Sequence, residues 1–102
     1  MSSERKTHRV LVLPGAEKGL KAAYDYYWSL SPELAEKFLS CTEEAFNTIA
    51  INPMLFQVKY LETRIAFTSV FPYAIHFQLN SVEREIIIGG FFHQHQKKNR
   101  TN

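Results

Sequence analysis

From His8 to Leu13 the chain reads HRVLVL, a short β-branched and aliphatic run closed by Pro14-Gly15. That pattern predicts a first strand. From Ala16 to Leu30 the period lengthens. Ala16, Leu20, Ala23, Tyr24 and Tyr27 share one helical face, while Glu17, Lys18, Lys21 and Asp25 fall elsewhere, which predicts an amphipathic helix. Gly19 weakens it by ~1 kcal/mol relative to alanine. Ser31 is a good N-cap, Pro32 suits the first helical position, and Glu33 and Glu36 suit the positive helix end. Leu34, Phe38, Cys41, Ala45 and Ile49 carry an apolar stripe onward until Asn52-Pro53 ends the second helix. The two helices are joined too tightly to form anything but a helical hairpin.

After a loop, PMLFQVKYLET, the period becomes two. Arg64 to Thr68 predicts a short strand. Tyr73, Ile75, Phe77 and Leu79 alternate with Ala74, His76 and Gln78, the pattern of a half-buried strand. NSVE predicts a turn. Glu85 to Phe92, EIIIGGFF, is almost wholly apolar, which predicts an interior strand with a bulge or a close approach at Gly89-Gly90. The expected fold is α+β, with a two-helix hairpin packed on a small, mainly antiparallel sheet in the order β-α-α-β-β-β. Residues 1–7 and 99–102 read as flexible tails of a single domain spanning 1–102.

Composition changes this picture little. The chain has 102 residues, 45% of them hydrophobic and 22% charged, so one compact core is feasible. Eight phenylalanines and five tyrosines suggest a core filled by large rings. Cys41, the single cysteine, cannot form an internal disulfide, which fits the cytoplasm. The opening MSSERKTHR is polar and no long apolar run follows, so neither a signal peptide nor a membrane span is expected. A net charge of +2 permits a polyanionic partner without demanding one.

Candidate chemistry concentrates near the end of the chain, in GGFFHQHQKKNR. His93 and His95 would share one strand face, as imidazole ligands of zinc or copper do. No acidic or cysteine cluster accompanies them, so no metal and no cofactor is expected. Cys41 lies on the apolar stripe and reads as a small hydrophobe. Tyr26, Tyr27 and Trp28 read partly as core and partly as a stacking platform for bases. Arg64 opens a strand after Lys59 and Tyr60. Its fork geometry suits a phosphate or a carboxylate of the helical hairpin equally well.

These pieces, taken in order, resemble a known family. AxxYYW ends the first helix, LAEKF opens the second, and INP closes it. Arg64, VFPYAIHF and GFFHQHQ follow. The set resembles the RelE/ParE superfamily of bacterial toxins from about Val10 to Lys98. The resemblance implies a small cytoplasmic toxin of a type II toxin–antitoxin, or plasmid stabilisation, system. A cognate antitoxin protein would neutralise it. RelE-like members cleave mRNA on the ribosome, whereas ParE-like members poison DNA gyrase and have lost the nuclease residues.

For RNA cleavage the resemblance implies Arg64 as the phosphate-binding cation, His93 as acid or base, and Lys59 as an assisting charge. After that histidine the family commonly reads x-S-R-N-P. Here Gln96 stands at the arginine position, and Lys97 and Lys98 follow. His95, Lys97 and Lys98 are then candidates for contact with nucleic acid or target. The altered edge and the thin net charge favour the ParE-like branch. The competing expectations are a binding module that only docks an antitoxin and, on a different chemistry, a metalloenzyme using His93 and His95. The short edge strands also permit a homodimer.

Overall fold

A computed structural model describes residues 7–94. Strand β1 (Arg9–Val12) leads into helix α1 (Pro14–Leu30) and helix α2 (Pro32–Ile51). A single 3₁₀ turn (Pro53–Leu55) follows. Four strands complete the chain: β2 (Val58–Tyr60), β3 (Thr63–Phe67), β4 (Tyr73–Asn80) and β5 (Glu85–His93). They form one five-stranded sheet in the order β1-β5-β4-β3-β2. Only β1 and β5 run parallel, and the other pairings are antiparallel. The fold is the expected α+β arrangement with one further strand.

That further strand is β2. Val58, Lys59 and Tyr60 are all exposed, so no apolar alternation marks them. The β2–β3 turn holds Leu61 and Glu62 at φ 41° and 64°. Two successive left-handed residues suit the twist of a hairpin, and asparagine-glycine is the usual choice for them. Leu-Glu carries no such signal, so the sequence alone predicts a loop here.

The helical hairpin turns on one residue. Ser31 N–H donates to the Tyr27 carbonyl at 2.9 Å and closes α1. Its Oγ accepts from Leu34 N–H at 3.2 Å and caps α2. Pro32 follows at the first helical position, where its missing N–H is no loss. Pro14 occupies the same place in α1, so the Pro-Gly pair both ends β1 and starts the helix.

Both helices lie on one face of the sheet. Phe38, Ile49, Ile75, Phe77, Ile86 and Ile88 are the large hydrophobic side chains buried to 1% exposure or less. Val10, Val12, Leu20, Tyr24 and Tyr27 pack around them. His8 fastens the start of β1 to the end of α2. Its N–H and its ring Nδ1 lie 3.0 and 2.9 Å from the Ala50 carbonyl.

The diglycine on β5 serves two purposes. His76 pairs with Gly90 but Phe77 pairs with Ile88, so Gly89 is an extra residue, a β-bulge. The bulge shifts the side-chain phase by one. Ile86 and Ile88 face the helices before it, and Phe91 faces them after it. At Gly90 a Cβ would collide with the Phe92 ring.

Candidate functional site

The predicted site residues occupy different parts of the fold. Arg64 lies on β3 opposite Phe77, on the helix side of the sheet. Its Nη1 donates to the Phe56 carbonyl at 2.6 Å, which anchors the segment after the 3₁₀ turn. Among the described residues the guanidinium therefore holds a backbone carbonyl and not a carboxylate of the hairpin. Lys59 is exposed on the edge strand β2. His93 ends β5 opposite Tyr73, and the two rings meet edge to face at 5.2 Å.

Arg64 and His93 do not converge. Their partners on β4, Phe77 and Tyr73, are four residues apart. At about 3.4 Å per residue and about 4.8 Å per strand, their Cα atoms stand on the order of 16 Å apart. His76 does not join His93 either. It faces away from the helices, opposite Ile65 and Gly90. His95, Gln96, Lys97 and Lys98 lie outside the described residues, as do the tails 1–6 and 99–102.

What surrounds His93 is aromatic. Tyr26, Tyr27 and Tyr73 join it around a cavity of about 480 Å³ floored by Gly19 and Ala22. Tyr27 meets Tyr26 at 5.1 Å and Tyr73 at 6.3 Å. The motifs that supply these rings, YYW on α1 and FPY running into β4, are visible in the sequence. Their convergence is not, because it depends on how α1 lies across β5.

Burial pushes the Tyr73 phenol above its ordinary range, and its hydrogen bond with Tyr27 and the neighbouring phenols act the same way. Unfolding returns the group to a pKa of about 10. Above that pH the unfolded chain binds fewer protons than the folded one, so stability falls as pH rises. Below it Tyr73 contributes no pH dependence. Stability curves taken from pH 8 to 12 are expected to show this alkaline loss, and Tyr73→Phe is expected to flatten it. A variant with the wild-type slope would refute that assignment.

The opposite face of the sheet carries a second polar group. Tyr60 Oη lies 2.9 Å from His76 Nδ1, and Gln78 Nε2 donates to Thr63 Oγ1 at 3.3 Å. Leu13, Ile87 and Phe92 complete the walls of a cavity of about 270 Å³. In the sequence His76 is one position of an alternating strand, and nothing there signals its contact with Tyr60. That contact requires β2, which carries no sequence signal of its own.

The family model described as the ParE toxin of type II toxin-antitoxin systems, parDE, matches residues 10–98. This chain belongs to the ParE toxin family. No curated protein sequence gave a match. Among solved structures, a chain of the chromosomal ParDE toxin-antitoxin system from P. aeruginosa is similar, with a TM-score of 0.73 at 19% identity. The match covers 87% of this chain and 98% of that one. A chain of the RelBE2 toxin-antitoxin complex from Mycobacterium tuberculosis is similar at a TM-score of 0.58 and 14% identity, over 90% and 97% of the two chains. At those identities the structural likeness speaks for the fold, and the ParE assignment rests on the family match. Among the described residues of this ParE-family toxin, no helix is long and apolar enough to cross a membrane.

Proposed function

We propose that this ParE-family toxin acts in the cytoplasm on DNA gyrase, and that a cognate antitoxin protein neutralises it. The observation that carries the choice of target is the separation of Arg64 from His93. Metal-free RNA cleavage needs a cation and an acid or base within reach of one phosphate. Here one group is tied to the Phe56 carbonyl and the other stands at the far end of the sheet against Tyr73. Gln96 in place of the family arginine supports the same reading. The antitoxin is supported by the two similar structures, both from toxin–antitoxin systems.

The test is induction of the protein in bacteria without antitoxin, with RNA 5′ ends mapped within minutes, alongside a gyrase supercoiling assay on purified protein. The expected result is growth arrest, intact messages and inhibited supercoiling. His93→Ala and Arg64→Ala are expected to keep inhibition to within the loss explained by stability. New 5′ ends inside translated frames, abolished by either substitution, would establish the nuclease instead. Healthy growth with retained antitoxin binding would establish the binding-module alternative.

A further inference from the structure

The connection from β3 to β4 holds a strained residue at its tip. Val70 has φ 74° and is 75% exposed. A β-branched side chain in that region is a genuine outlier. The backbone closes tightly around it, with Phe71 N–H donating to the Ser69 carbonyl at 2.7 Å, so Val70 is the centre of a three-residue turn.

The strain is held from both sides. Thr68, itself buried, donates through Oγ1 to the Phe71 carbonyl and through its N–H to the Tyr73 carbonyl. Phe71 is sunk into the core against Tyr27 and Phe38, at 5.0 and 5.4 Å. A free loop would relax. This one is over-determined by its neighbours, and such strain persists mainly where it serves a function.

The tip is also apolar. Phe67 is 58% exposed beside it. Residues 67–72, FTSVFP, carry no ionisable side chain. Next to them Phe67 and Ser69 border a cavity of about 410 Å³ whose walls include Cys41, Glu44, Thr48 and Phe56. A rigid, uncharged knob beside a recess that carries the Glu44 carboxylate is poorly suited to a phosphate backbone, which demands cations. It suits a folded protein that offers an apolar pocket.

We propose that Val70 is a contact residue for the protein target of this toxin, held in a strained turn so that its side chain projects into a pocket of that target. The proposal rests on the reading of the chain as a toxin that arrests growth by binding a protein. Val70→Gly relieves the strain and deletes the knob. Val70→Thr keeps the β-branched shape and the strain but makes the knob polar.

The experiment compares the two variants with wild type in growth arrest, supercoiling inhibition, thermal stability, antitoxin affinity and oligomeric state. For a domain of this size, Val70→Gly is expected to raise Tm by about 5 °C while weakening growth arrest at least about tenfold, the loss expected when a buried valine side chain is removed. Val70→Thr is expected to weaken arrest similarly at an unchanged Tm. Antitoxin affinity and oligomeric state should stay as in wild type.

Wild-type potency in both variants would overturn the proposal. Parallel loss of antitoxin affinity would overturn it in favour of an antitoxin seat, and dissociation of a wild-type dimer in favour of a second copy of this chain. Wild type that arrests growth but leaves gyrase untouched would refute the gyrase reading alone, since the variants would still be scored on arrest. Wild type that arrests nothing would sink both.

Discussion

Phe38→Ala is expected to destabilise the protein by about 3–5 kcal/mol, the usual loss for removing a buried ring. Phe38 is 0% exposed and meets Tyr27, Phe71, Tyr73 and Phe91 at 5.2, 5.4, 5.4 and 6.1 Å. It therefore joins α2 to α1, to the strained turn and to the ends of β4 and β5. Truncation removes the transfer energy of the ring and leaves a void between elements that cannot all close on it. A domain of this kind has a total stability of about 5–15 kcal/mol, so much of it would go. Urea unfolding followed by circular dichroism measures the effect. Val82→Ala, in an exposed turn, is the control and should stay within about 0.5 kcal/mol of wild type. A loss near 1 kcal/mol at Phe38 would mean that the surrounding rings collapse into the gap.

Gly19→Ala should cost about 1–3 kcal/mol, although helix propensity alone predicts a gain of ~1 kcal/mol. A Cβ at position 19 would lie 2.5 Å from the Phe91 carbonyl oxygen. That atom belongs to the backbone of β5, which β4 holds in register at Ile75, so it cannot swing away as a side-chain end would. The helix must lift from β5 or the strand must bend. Gly15 in the first turn of the same helix supplies the contrast, because a Cβ there meets nothing within 4 Å. Gly15→Ala is therefore expected to be neutral or to gain less than ~1 kcal/mol. Thermal unfolding should place Gly19→Ala below wild type and Gly15→Ala at or above it. Equal stabilisation of both would show that α1 and β5 have room to spare. Because α1 also floors the cavity beside His93, Gly19→Ala is further expected to alter the fluorescence of Trp28 and its neighbours.

Most elements are legible in the sequence. The period change at Pro14, the Ser31-Pro32 boundary, the stop at Asn52-Pro53 and the alternation of β4 are local matters, set by backbone angles and one- or two-turn periodicity. Gly89-Gly90 announced an irregular strand, and the structure contains both a bulge and a close approach there. The order of weak motifs was enough for the RelE/ParE resemblance, which the family match then bore out. Local pattern failed at β2, where three exposed residues and a Leu-Glu turn carry no signal.

By itself the amino-acid sequence determined the helical hairpin, the apolar faces, the two conspicuous strands after it and the residue types available for chemistry. Those follow from short-range sterics and from which side chains leave water. Only the tertiary structure decided where Arg64 and His93 stand. Their separation depends on strand register and on which strands neighbour one another, and pairing across β3, β4 and β5 sets both. The same holds for Gly19, a weak point of a lone helix that becomes a necessity once Phe91 lies against it, and for Val70, whose left-handed angle is imposed by Thr68 and Phe71 on either side.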